Sequence, residues 1–332
     1  MSLEIGAVAI GRNEGERLGR CLSSLRGHVV ELIYVDSGST DGSRELARSL
    51  GAQVVELDLS TPFTAARARN AGYRRLRELQ PNLQFVQFVD GDCEVVEGWL
   101  HKALARLQAR PELAVVCGRR RERHPEASIY NRLCDLEWDT PIGDADACGG
   151  DALMRTGAFD QVGGYTDALI AGEEPELCLR LRRAGWKIER IDAEMTLHDA
   201  AMTEARQWWN RQVRSGHAYA EGAHLHGDGP EHHWVKETRR SVFWGGVLPA
   251  VAVGGVLPTL GTSLSLLAGY PVSTLRNFQH QKQRGRSTEE SLLYAASCTL
   301  SRFPELQGVL RFHLGRISGR RSGIIEYKTP DK

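Results

Sequence analysis

From Ile5 to Asp92 the chain alternates short apolar runs with amphipathic stretches, and that alternation leaves little choice of fold class. Ile5–Ile10, Glu31–Val35, Gln53–Leu57 and Phe85–Val89 read as strands. Between them lie Glu14–Leu25, with Leu18, Leu22 and Leu25 at helical spacing, then Ser43–Leu50 and Ala65–Leu79, the last stopped by Pro81. Strands alternating with helices predict an α/β fold: a mainly parallel, Rossmann-like sheet covered by helices on both faces. In such sheets ligands bind beyond the carboxyl ends of the strands. Two polar clusters fall there, Asp36-Ser37-Gly38-Ser39-Thr40-Asp41-Gly42 and Asp90-Gly91-Asp92.

Composition narrows the function classes. Of 332 residues, 41% are hydrophobic and 25% charged, enough apolar material for a packed core. Lys+Arg and Asp+Glu tie at 42 each, which removes the strongly basic chain expected of a nucleic-acid binder. Seven cysteines without a C-x-x-C pair form neither a disulfide framework nor a zinc ribbon and suit a reducing compartment. Met1–Ile10 lacks the basic start of a signal peptide.

Several residues are candidates for chemistry on position alone. Asp90 and Asp92, one residue apart at a strand end, suit a hard divalent cation that keeps positions open for substrate phosphates. Asp36 is placed to accept hydrogen bonds from a base or ribose, whereas capping of the next helix accounts for Asp41. Gly172-Glu173-Glu174-Pro175 opens a helix to Ala184, and Pro175 at its first position predicts Glu174 as N-cap. The run Arg119-Arg120-Arg121-Glu122-Arg123 reads as a solvated loop, contact with a diphosphate or lipid headgroup being the alternative.

The order of these motifs resembles the family 2 inverting glycosyltransferases of the GT-A fold, over about Ile5 to His198. Arg12-Asn13-Glu14 is similar to the family's N-E turn, Val35–Gly42 to its V-D-x-G-S-x-D-G loop, and Ala66-Arg67-Ala68-Arg69-Asn70-Ala71-Gly72 to its A-R-N-x-G helix. Asp90-Gly91-Asp92 matches the D-x-D. Gly149-Gly150, Arg155 and Gly163-Gly164-Tyr165 resemble the acceptor-side segment, and Gly172-Glu173-Glu174 stands where the family has G-E-D. The resemblance implies a nucleotide-sugar donor, with Asn13, Glu14, Asp36, Arg67, Asn70 and Asp90 around it. It implies Mn²⁺ or Mg²⁺ on Asp90, Asp92 and His198, and a general base at Glu174 or Glu173. Gln207-Trp208-Trp209-Asn210-Arg211 only loosely resembles the Q-x-x-R-W motif of processive members, which argues for transfer of a single sugar; Arg211 is a candidate clamp on the diphosphate, or part of a solvated helix face.

The remainder of the chain differs in character. No Lys, Arg, Asp, Glu or His occurs in the 35 residues between Arg240 and Arg276. The run exceeds the roughly 20 residues of a membrane span, but its prolines and glycines break a single helix and both flanks are basic. We read it as a hairpin that dips into the membrane from the cytoplasmic face, an apolar core hairpin being the alternative. Residues 276–332 carry eleven Lys/Arg against five acids and read as basic amphipathic helices, the first opened by a Ser287–Glu290 capping box. His217, His224, His226, His232 and His233 fit no standard zinc spacing and read as a surface loop. The expected organisation is therefore a catalytic domain 1–205, a connecting segment 206–240, an apolar hairpin 241–275 and a basic tail 276–332. The partners expected are a nucleotide-sugar donor, a glycan or lipid-linked acceptor and a membrane surface. A sugar nucleotidyltransferase is the rival enzyme, though Gly11–Gly15 is too poor in glycine for its phosphate loop. A membrane scaffold with a degenerate domain is the non-enzymatic rival.

Overall fold

The computed structural model describes residues 3–319 together with Gly323 and Ile325. The last part of the basic tail, including Arg320, Arg321, Lys328 and Lys332, lies outside the described residues. The described chain divides into two compact units, one from residues up to 124 and 137–201, the other from 125–136 and from 202 through the last described residues.

The first unit is built on strands β1 (Leu3–Gly11), β2 (Val29–Asp36), β3 (Gln53–Glu56), β4 (Phe85–Asp90), β5 (Cys93–Val95), β6 (Leu113–Glu122), β7 (Gly143–Asp144), β8 (Ala152–Arg155) and β9 (Lys187–His198). Its helices are α1 (Glu16–Leu25), α2 (Ser43–Ser49), α3 (Ala65–Leu79), α4 (Trp99–Ala109), α6 (Thr156–Gln161) and α7 (Glu173–Arg183), while α5 (Ile129–Glu137) lies mostly in the second unit. The strand order is β3-β2-β1-β4-β8-β6-β9-β5, with β7 on β9. Four of these strands, β3 to β4, are parallel as the alternation predicts. Ile5, Ala7, Val8 and Ala9 are all fully buried, so β1 reads as a continuous apolar run, as a strand covered on both faces must. The other half is mixed: β8 runs antiparallel to β4 and β6, and β5 antiparallel to β9, while β6 and β9 are parallel.

Register places the polar strand ends together. Ile10 of β1 pairs with Asp90, and Gly11 with Asp36. At the far edge Cys93 of β5 pairs with His198, the last residue of β9.

Two local expectations are corrected. Helix α7 begins at Glu173 and is capped by Gly172 in the left-handed region (φ 78°), so Glu174 is a helical residue and not the N-cap. The 119–123 run is largely the end of β6, paired to β9 from Arg119 to Glu122, and not a solvated loop. Strand alternation turns Arg121 outward, where it pairs with Glu194 at 3.0 Å, and Arg120 inward.

The second unit is helical: α8 (Ala205–His226), α9 (Val235–Val242), a π-helical turn Phe243–Val247, α10 (Leu248–Gly254), a 3₁₀ segment Thr262–Ala268, α11 (Gly269–Gln283), α12 (Thr288–Leu300) and α13 (Arg302–Ile317). Three of the five clustered histidines, His217, His224 and His226, lie in α8, where a loop was expected, and His217 is buried. Ser287 and Glu290 form the predicted capping box of α12. Ala220, Val309 and Phe312 make a small core with Val242. Helices α8 and α13 touch backbone to backbone: a Cβ on Gly216 would lie 1.9 Å from the carbonyl oxygen of Glu305, and one on Gly308 2.0 Å from that of Val213. Among the described residues no helix is long and apolar enough to cross a membrane.

Candidate active site

Two adjoining groups of buried charge occupy the strand ends of the first unit. The first is Asp92 with His198. Pairing of β5 with β9 brings the two side chains together, Nε2 of His198 lying 3.4 Å from Oδ2 of Asp92. Both residues are buried. The other ring nitrogen, Nδ1, makes no hydrogen bond and lies 3.6 Å from Oε2 of Glu122. Glu122 in turn accepts from the backbone amides of His124 and Ala200. Trp138 meets the imidazole edge-on at 4.8 Å between ring centres.

This donor set fits a divalent cation. Two ligands 3.4 Å apart match, to within a few tenths of an ångström, an octahedral edge of about 3 Å for bonds near 2.1 Å. An imidazole with one nitrogen toward the ligand position and the other toward a carboxylate is the usual arrangement for a metal-bound histidine.

The second group centres on Asp90. Its Oδ1 accepts from Arg69 at 2.6 Å, and its Oδ2 lies 3.4 Å from Arg120. Arg69 reaches from α3 and also pairs with Glu173, at the start of α7, at 2.8 Å. Burial opposes its charge, but the carboxylates of Asp90 and Glu173 prevail and hold its guanidinium above its ordinary value. Arg120 pairs with Asp151 at 2.7 Å, and Asp151 also accepts from the amide of Asp90 and the hydroxyl of Thr196. Asp151 is fully buried and its oxygens are spent on these contacts, so its part is to hold the strand ends in place.

Asp90 and Asp92 therefore do not form one ligand set with His198. Asp92 groups with His198, and Asp90 with Asp151 and the two arginines, with Cys93 between the groups. The turn at Gly91-Asp92, between β4 and β5, breaks the extended run and lets the two aspartates find different partners.

The remaining expected donor-site residues are drawn into the loops. Asp36, 1% exposed, accepts from the amides of Gly38 and Ser39 and from the hydroxyl of Tyr34. These bonds fold its own turn. Asn13, at φ 56°, ties the first turn to the second: its Oδ1 accepts from the amide of Thr40, and its own amide donates to Ser39 Oγ. Glu14 pairs with Arg17 at 3.1 Å. Arg67 donates to the carbonyls of Asp58, Thr61 and Pro62. Asn70 holds the 165–167 loop through Tyr165 and Asp167. Arg211 is on α8 of the second unit, whereas every residue above belongs to the first.

Glu173 and Glu174 start α7 but face different neighbours. Glu173 is held by Arg69. Glu174 accepts at Oε1 from the amide of Cys148, at 2.5 Å, and from the thiol of Cys178, at 3.1 Å. The two sulfurs are 3.6 Å apart. The hydrogen bond that the Cys148 thiol donates to Cys178, with burial, pushes the Cys148 thiol up, and burial does the same for Cys178. Both cysteines are thus neutral neighbours of Glu174.

Arg69, Arg120, Asp151 and Glu122 escaped the sequence reading as site residues. Arg69 stood in view within the A-R-N-x-G stretch, and Asp151 directly follows Gly149-Gly150. Strand parity was the signal for Arg120. Nothing local marked Glu122.

Residues 8–163 match the Glycosyl transferase family 2 profile. This chain carries a family 2 glycosyltransferase domain. It is 28% identical over 285 residues to the pre-mycofactocin glycosyltransferase of Mycobacterium tuberculosis, covering 82% of this chain and 56% of that protein. It is 23% identical over 189 residues to glycosyltransferase AglE of Haloferax volcanii, covering 53% of this chain and 60% of that protein. The chain thus spans little more than half the length of these curated relatives. Among solved structures, the mannosyltransferase PcManGT from Pyrobaculum calidifontis, crystallised with GDP-Man and Mn²⁺, superposes with a TM-score of 0.57 at 14% identity, covering 94% of this chain and 88% of that one. S. aureus TarS 1-349 superposes at 0.52, also at 14% identity, covering 96% and 92%. At that identity the likeness is one of fold. The mixed sheet with its helices is that of an α/β GT-A-like fold.

Proposed function

We propose that the protein transfers one sugar from a nucleoside-diphosphate sugar to a hydroxyl of a glycan or lipid-linked acceptor, with inversion at the anomeric carbon and with a divalent cation. The observation that carries this reading is the Asp92–His198 pair at the strand ends of a family 2 glycosyltransferase domain. The Mn²⁺ and GDP-Man bound by the Pyrobaculum mannosyltransferase support it by analogy of fold.

Asp92 and His198 would hold the cation, and Glu122 would orient the imidazole. Bound there, Mn²⁺ or Mg²⁺ supplies Lewis acidity to the departing diphosphate. Asp90, fixed by Arg69 and Arg120, presents the remainder of its carboxylate, 28% exposed, to the sugar or a metal-bound water. Glu174 is the general base. It is hydrogen-bonded by a neutral amide and a neutral thiol, whereas Glu173 is tied up in an ion pair with Arg69. In the step, the acceptor oxygen forms a bond to the anomeric carbon, its proton passes to Glu174, and the bond to the diphosphate breaks with its electron pair on the leaving oxygen. One displacement with one base inverts the configuration.

The test is thermal melting with a panel of nucleoside diphosphates, each with and without Mn²⁺, because a ligand of the native state raises the midpoint. Metal-dependent stabilisation by one nucleotide, lost in Asp92→Asn, is expected. No response to any nucleotide would sink the reading.

A further inference from the structure

The 35 uncharged residues fold as a hairpin with two short arms. The π-helical turn and α10 make one arm; residues 255–261 make the turn; the 3₁₀ segment running into α11 makes the other. Ser263 Oγ donates across to the carbonyl of Ala252, and Tyr270 Oη to that of Trp244. At the far end the apolar side chains face outward. Leu257 and Leu260 are 87% and 94% exposed, and Val253 is 64% exposed.

Two further features mark this tip as unlike an ordinary water-facing loop. Its polar groups are satisfied from within. The amides of Gly255, Val256, Thr259, Gly261 and Thr262 all donate to carbonyls of residues 251–259. The hydroxyls of Thr259, Thr262, Ser263 and Ser265 also donate to backbone carbonyls. Water does not require this; hydrocarbon does. The base of the hairpin is basic, with exposed Lys236, Arg239 and Arg240 before it and Arg276 after it. The uncharged part of the continuous helix, residues 241–254, rises only about 21 Å, short of the roughly 30 Å of a bilayer core.

We propose that this hairpin is a monotopic anchor. It inserts Val253, Leu257 and Leu260 into one leaflet of an anionic bilayer, with Trp244 and Tyr270 at the interface and the basic collar on the headgroups. It does not span. Burial of the leucine side chains and attraction of the basic collar to an anionic surface both favour insertion. The anchor is independent of the sugar-transfer reading.

The test is flotation of the full chain with phosphatidylcholine vesicles, with and without phosphatidylglycerol, beside the double variant Leu257→Asp, Leu260→Asp. Wild type should float with the anionic vesicles, less so in high salt. The variant should bind at least tenfold more weakly while keeping its melting midpoint. Wild type that stays in solution with every vesicle overturns the proposal, as does a variant that floats equally well. A wild-type dimer that the variant converts to monomer also overturns it, by assigning the surface to a second copy.

Discussion

His198 and Asp92 are 106 positions apart in the chain, yet their side chains meet at 3.4 Å because the last residue of β9 pairs with the first of β5. The contact depends on strand register. It makes the imidazole a partner of the acid instead of an isolated buried histidine.

If the pair holds the cation, His198→Ala should weaken Mn²⁺ affinity and lower turnover by about 10–100-fold, with Glu122→Gln following in the same direction through the imidazole's orientation. Titration of Mn²⁺ against initial rate measures both. Unchanged Mn²⁺ dependence in His198→Ala would remove the imidazole from the site.

The two acids of α7 should separate by role. Glu174→Gln should reduce transfer by at least a hundredfold with the melting midpoint within a few degrees of wild type. Glu173→Gln should cost stability more than chemistry, because it leaves Arg69, 2% exposed, with one carboxylate fewer. The reverse pattern in paired rate and melting measurements would move the base to Glu173.

Arg69 joins α3, the end of β4 and the start of α7. Arg69→Ala strips Asp90 and Glu173 of a shared buried cation and should cost about 3–5 kcal/mol. A urea midpoint close to wild type would show that the surroundings relax around the loss.

The crossing of α8 and α13 leaves no room for a methyl group. Gly216→Ala and Gly308→Ala should each destabilise by 1–3 kcal/mol or more. Gly254→Ala, which meets nothing within 4 Å, should be neutral or slightly stabilising. Equal melting points for all three would mean that the helices separate at little cost.

In α8, burial pushes the Glu221 carboxyl up to about 7 from 4.5, and burial, with the charge of Arg311, lowers His217 to about 4 from 6.5. A raised acid favours the folded state below its unfolded value and loses that benefit as pH climbs through its folded one. For Glu221 the loss runs from about pH 4.5 to about 7. For His217, lowered on folding, stability is full above about 6.5 and falls as pH drops through about 4. Wild type should therefore lose melting temperature relative to Glu221→Gln between about pH 4.5 and 7. Parallel melting curves across that range would refute the assignment.

The alternation from Ile5 to Asp92 was enough to place Asp36, Asp90 and Asp92 at strand ends, because hydrophobic period and turn residues are local properties of the chain. Local pattern elsewhere was also enough for the capping box at Ser287 and the hairpin of the charge-free run. What each charge does was not legible there. Asp36 looked like a ligand contact and closes its own turn. Arg120 looked solvated and is half-buried, paired with Asp151.

The sequence by itself determined the element types, the end of the sheet where chemistry gathers, and the apolar run that leaves its tip bare. Only the tertiary structure decided which acid faces which cation, that Asp90 and Asp92 separate into different groups, and that His198 joins the second. Spacing along the chain sets which way a strand residue points, but the partner it finds comes from another strand or helix, tens of residues away, whose register no local pattern encodes.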